Sequence, residues 1–154
     1  MVDEIKTYYI NLLNEAKIIE IKRILDLICF TFETTNNKKI YIHSQCFLRI
    51  FDRNNSLVIC TQNLLDPSRI FKKKKFDWAK VGTTLFDDAV NDYQEQIFSA
   101  KIVSVSFNYN DLEIEFSNLM RMNILITSTV YDDNRYSENY RIFDTDDHSK
   151  DLIL

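Results

Sequence analysis

The residue pattern predicts an α+β fold, a single domain of mostly antiparallel sheet built from two related helix-plus-hairpin units with two main helices. An internal echo is the leading observation. Ala16-Lys17-Ile18-Ile19-Glu20-Ile21, running on to Asp26-Leu27-Ile28-Cys29-Phe30, is matched by Ala100-Lys101-Ile102-Val103-Ser104-Val105, running on to Asp111-Leu112-Glu113-Ile114-Glu115-Phe116. Each copy follows a stretch of helical periodicity, and each later reaches Arg-Ile-Phe, at Arg49-Ile50-Phe51 and Arg141-Ile142-Phe143. Within both copies the apolar pattern changes from a helical period to strand alternation. Size is the third observation: 154 residues, 45% of them hydrophobic, suit one domain that buries a core without staples. The units are expected at about 1–62 and 83–145, sharing one sheet system, with an irregular connection at 63–82.

Val2, Ile5, Tyr9, Leu12 and Ala16 fall on one helical stripe, which predicts a helix over 2–15. β-Branched and aromatic runs then predict strands near 17–24, 26–33, 39–51 and 56–62. In the third, Ile40, Ile42, Ser44, Cys46, Leu48 and Ile50 share one face, and Tyr41, His43, Gln45, Phe47, Arg49 and Phe51 the other. Asp66-Pro67 marks a turn, and Lys72 to Lys75 form a charged run. Thr84 with Asp87 three residues on signals a helix start, and Phe86, Val90, Tyr93 and Ile97 continue the stripe to about 98. Strands follow near 101–109, 111–117, 120–129 and 138–144. Leu112, Ile114 and Phe116 alternate with Asp111, Glu113 and Glu115, the pattern of a sheet with one solvated, acidic face. The acidic end of the chain, Asp144 onward and above all 146–154, is expected to fray.

Composition narrows the chemistry. A single Gly and a single Pro leave the turns to Asn and Asp, as at Asn36-Asn37 and Asn54-Asn55, and exclude glycine-rich phosphate loops. A net charge of −4 argues against nucleic acid as a principal partner. There is no apolar run long enough for a membrane span, and the first residues, Met1-Val2-Asp3-Glu4, are acidic rather than signal-like. Together with an odd count of 3 cysteines, this predicts a cytoplasmic protein with reduced thiols and no membrane partner.

No catalytic constellation, metal site or cofactor is expected. His43 and Cys46 have a short spacing, but residues three apart on a strand point to opposite faces, so neither a zinc pair nor a Cys–His nucleophile follows. The paired carboxylates Asp87-Asp88, Asp132-Asp133 and Asp146-Asp147 diverge as sequence neighbours and read as solvated charge. The polar-aromatic face bearing His43, Gln45 and Arg49 has two readings, an internal network or a ligand surface. In the first, Arg49 pairs with Asp66, Asp77 or Asp87 and pins the 63–82 connection to the sheet.

The segment Ile40-Tyr41-Ile42-His43-Ser44-Gln45-Cys46-Phe47-Leu48-Arg49-Ile50 resembles a family of small bacterial proteins that read Leu-His-x-Gln-Cys-x-Trp-Arg-Ile. Leu65-Asp66-Pro67, Phe76-Asp77-Trp78, Asp111 to Phe116 and Tyr140-Arg141-Ile142-Phe143 stand at the corresponding later places, so the resemblance spans roughly 17–145. Leu48 and Tyr140 replace tryptophans of that pattern. The resemblance implies an association with toxin–immunity systems and no catalytic signature. With the acidic balance, it leads to the expectation of an immunity-type, non-enzymatic protein that binds and neutralises a cognate toxin domain. Asp111, Glu113, Glu115, Asp132 and Asp133 are then the partner-binding residues. The alternative is a small-ligand-binding or accessory domain using the His43–Arg49 strand face.

Overall fold

A computed structural model describes residues 1–70, 76–126 and 139–154. Its elements are helix α1 (Val2–Leu13), strands β1 (Lys17–Ile24), β2 (Leu27–Glu33), β3 (Lys39–Ser44), β4 (Phe47–Phe51) and β5 (Leu57–Cys60), helix α2 (Leu85–Ser99), then β6 (Ile102–Asn108), β7 (Asp111–Phe116), β8 (Arg121–Leu125), β9 (Tyr140–Phe143) and β10 (Leu152–Ile153). Short 3-10 turns cover Thr61–Leu65 and His148–Lys150. The fold is α+β, with two antiparallel sheets of five strands each, ordered β1-β2-β3-β9-β10 and β5-β4-β8-β7-β6.

The echo in the sequence is an echo in the strands. β1-β2-β3 and β6-β7-β8 are both antiparallel meanders. Each opens with a bulge at the same place, between Ile18 and Glu20 in one and between Ile102 and Ser104 in the other. The bulged residues, Ile19 and Val103, are left exposed, and the next partners match, Ile21 with Phe30 and Val105 with Ile114. The fourth strand of each unit then leaves its own meander. β4 pairs with β8, and β9 pairs with β3, so the units exchange their fourth strands.

That exchange corrects the expectation of one strand over 39–51. The chain passes from the first sheet to the second at Gln45 and Cys46, where the Gln45 amide donates to the Asn139 carbonyl (2.9 Å). Alternation survives the passage. Ile40, Ile42, Ser44, Cys46, Leu48 and Ile50 are all buried, because both sheets turn their inner faces to one core. The outward residues are divided: Tyr41 and His43 lie on the outer face of the first sheet, and Phe47, Arg49 and Phe51 on that of the second.

The helices contact the open margins of the sheets. α1 packs on β6 and β10, burying Tyr9 and Leu13, and α2 packs on β1 and β5, burying Phe86 and Ile97. The end of the chain is not frayed, contrary to expectation. Leu152 is buried, Leu154 donates to and accepts from the backbone beside β9, and Asp144 is wholly buried with Lys38 Nζ 3.0 Å from its carboxylate. Burial alone would raise the Asp144 carboxyl, but Lys38 and the Asp146 and Asp147 amides hold it below the ordinary carboxylate value.

Turns with few glycines rely on left-handed residues of other kinds. Asn37, Asn55 and Leu119 take φ of 60, 62 and 68° in three hairpins closed by the same pair of backbone bonds. Leu25 and Tyr109, at φ of 58 and 57°, head the equivalent two-residue turns of β1-β2 and β6-β7. Two of the five are the expected Asn37 and Asn55; the others are bulky residues in a conformation that costs them energy.

Candidate functional site

The solvent face of the second sheet brings together two groups of residues that are far apart in sequence. β4 presents Phe47, Arg49 and Phe51 at alternate positions. The Arg49 guanidinium carbon stands 6.0 Å from the Phe47 ring centre and 5.4 Å from that of Phe51. Arg121 on β8, opposite Phe51, sits 5.3 Å from the same ring and also hydrogen-bonds the Asn55 side chain. Phe51 is thus approached by two guanidinium groups, an arrangement stabilised by the ring's negative π face. Burial leaves the Arg49 Nε without a hydrogen-bond acceptor, and among the described residues no carboxylate forms an ion pair with Arg49.

Along the adjoining β7 runs the acidic row. Leu112, Ile114 and Phe116 are buried, while Asp111, Glu113 and Glu115 face outward, as expected. The register sets Arg49 opposite Asn123, and Asn123 opposite Glu113. Asn123 Nδ2 donates to Glu113 Oε2 (2.9 Å), which fixes that carboxylate beside the arginine strip. Asp111 Oδ1 accepts the Ile126 amide (2.8 Å), and Glu115 stays exposed opposite Arg121. A depression of about 390 Å³ lies between the strip and the row, lined in part by Arg49, Phe51, Asp111, Glu113, Arg121 and Asn123.

At the other end of the strip, Phe47 also forms a wall of a cleft of about 330 Å³. Leu64, Leu65 and Trp78 complete its apolar lining, and Asp26, Gln45, Thr61 and Gln62 supply the polar groups. Cys46 lies at its base. The Cys46 thiol is pushed up by burial and contacts Ser44 Oγ at 3.3 Å, the setting of an inert thiol.

The remaining expected site residues are dispersed. His43 lies on the outer face of the first sheet, edge-on to Phe143 (4.9 Å between ring centres) and opposite Cys29 and Arg141. His43 and Arg49 therefore do not form one strand face. Asp66 and Asp77 are exposed, the Asp77 carboxylate accepting the Ala79 amide (3.0 Å). Asp87 does pair with an arginine, but with Arg23 rather than Arg49. Asp132, Asp133 and the lysine run at 72–75 lie outside the described residues.

Arg23 is the anchor that Arg49 was expected to be. Its Nε and Nη2 reach the two Asp87 oxygens at 2.7 Å each. Nη1 donates to the Leu25 and Trp78 carbonyls (both 3.0 Å), and Nη2 to that of Lys80 (2.8 Å). Asp87 also closes the α2 cap, exchanging bonds with Thr84, and accepts the amide of Gly82, whose φ is 87°. Burial would raise the Asp87 carboxyl, yet the bonds from Arg23 and Thr84 outweigh it and leave it below the ordinary value. The network holds the 77–82 segment, and with it Trp78, against the β1-β2 turn. The β1 bulge concealed Arg23. It reverses the alternation after Ile18 and turns Arg23 inward.

Among the described residues no group of three or more His, Cys, Asp or Glu side chains is placed to hold a metal ion, and no helix is long and apolar enough to cross a membrane. Comparisons of the chain with protein families, with curated proteins and with solved structures find no match.

Proposed function

We propose that this chain is an immunity-type protein that binds and neutralises a cognate bacterial toxin domain, and that the solvent face of the second sheet is its binding surface. The observation that carries this reading is the juxtaposition of the Phe47-Arg49-Phe51 and Arg121 strip with the carboxylates of Asp111, Glu113 and Glu115. Aromatic and arginine side chains contribute disproportionately to protein–protein affinity. A neighbouring row of acids steers a basic partner into register and speeds its approach. The face is also rigid in the sense binding requires, since Asn123 and the β-ladder hold Glu113 and Arg49 before any partner arrives.

The test is co-expression with the C-terminal domain of a secreted protein encoded immediately beside this chain. Neutralisation and a complex that survives gel filtration are expected. Reversing charge with Glu113→Lys plus Glu115→Lys should slow association and make it less sensitive to salt. Unchanged association kinetics in that double variant would remove the acidic row from the interface, and failure to neutralise any adjacent toxin domain would end the reading.

A further inference from the structure

The cleft at the end of the arginine–aromatic strip has a chemistry of its own. We propose that it receives the guanidinium group of an arginine side chain presented by the protein partner, an inference that rests on the binding surface proposed above and specifies what enters it. The cleft's volume of about 330 Å³ is at the small end for a ligand site and matches a side chain rather than a cofactor. Two aromatic residues, Phe47 and Trp78, line it together with Leu64 and Leu65. A flat, weakly hydrated cation gains from stacking on such faces, most of all on indole.

The polar groups are acceptors suited to the same cation. Asp26, exposed in the β1-β2 turn, brings a carboxylate to the rim. Among the described residues it takes part in no ion pair, so its charge is available to a ligand. Gln45 and Gln62 bring amide oxygens, and both residues are exposed. A guanidinium has five donors in a fixed planar fork and can meet several of these acceptors while stacking on a ring; an ammonium has three donors and no flat face, and an aliphatic group has no donor. The cleft is also held ready. Arg23 ties the Leu25 and Trp78 carbonyls together, so the backbone that carries Asp26 and Trp78 is held in place without the ligand.

Trp78 is the single tryptophan of the chain, so its fluorescence reports on this cleft alone. The wild-type protein is titrated with N-acetyl-arginine amide, and in parallel with the citrulline, lysine and leucine analogues. A saturable change is expected with the arginine compound, weaker binding with lysine, and none with citrulline. Asp26→Asn, an exposed and nearly isosteric change, should weaken arginine binding about tenfold, the scale of one charge-assisted hydrogen bond. A flat titration, equal binding of the leucine analogue, or full affinity in Asp26→Asn would each overturn the proposal. The two proposals fail separately. Neutralisation by the wild type, with association slowed in the Glu113/Glu115 variant, alongside a flat titration would remove the cleft alone. Saturable arginine binding without neutralisation of any toxin domain would leave the cleft standing and remove the immunity reading.

Discussion

Arg23 and Asp87, 64 residues apart in the chain, meet as a two-pronged ion pair, with Nε–Oδ1 and Nη2–Oδ2 both at 2.7 Å and both side chains almost wholly buried. One carboxylate joins three functions: it caps α2, orients Gly82 and neutralises the arginine that gathers the Leu25, Trp78 and Lys80 carbonyls.

Arg23→Met should therefore cost about 3–5 kcal/mol, because it strands a buried carboxylate and releases the loop carbonyls. Urea unfolding measures the loss, and hydrogen exchange should accelerate across 77–84. Arg49→Met should cost no more than about 1 kcal/mol, since Arg49 stacks on rings and has no carboxylate partner among the described residues. Equal losses from the two variants would show that the roles assigned to these arginines are wrong.

Acid should unfold the protein through a definable pair of carboxylates. Asp87 and Asp144 are both held below their ordinary values in the folded state. Their contribution is therefore complete above the unfolded carboxyl value, about 4, and is lost as pH falls through the lower folded values. Stability measured from about pH 6 down to pH 2 should fall steeply below about 4, and Asp87→Asn should flatten that fall while lowering the plateau. A variant with the wild-type slope would show that Asp87 does not titrate with unfolding.

Leu119, 71% exposed at φ 68°, occupies a turn position that Asn37 and Asn55 fill in the two sister hairpins. Leu119→Gly removes the clash of Cβ with the following carbonyl and should raise stability by up to about 1 kcal/mol, net of the entropy glycine adds to the unfolded chain. Thermal denaturation reads the change. A lowered midpoint would mean that the leucine side chain makes a contact worth more than the strain.

The chain's end should behave as part of the core. Leu152→Ala is expected to cost about 2–5 kcal/mol, as for a buried leucine elsewhere. The amides of Asn139 and Leu154, bonded across β9 and the end of the chain, should be protected from exchange. Rapid exchange at Leu154 in the wild type would restore the frayed tail.

Local pattern was enough for much of this protein. The α+β class, both helices, the paired meanders and the burial of Leu112, Ile114 and Phe116 all follow from periodicity, which is a property of consecutive residues. Even the inward set from Ile40 to Ile50 was legible, since alternation persists wherever both sheets face one core. The outward set was not. Alternation says that His43 and Arg49 are on the outside, but not the outside of which sheet, and the crossing at Gln45 and Cys46 depends on β8 and β9, which lie far along the chain.

The site divides along the same line. Sequence alone determined that Asp111, Glu113 and Glu115 form one acidic row, because a strand presents every second residue to the same side. Tertiary structure decided what stands next to that row. Exchange of the fourth strands carries Arg49 from the first unit to within one strand of Glu113 in the second. It also decided which arginine is the anchor. A single bulged residue, Ile19, turns Arg23 inward toward Asp87 on α2, and where a bulge falls depends on how β1 must pair with β2, which the isolated strand does not specify.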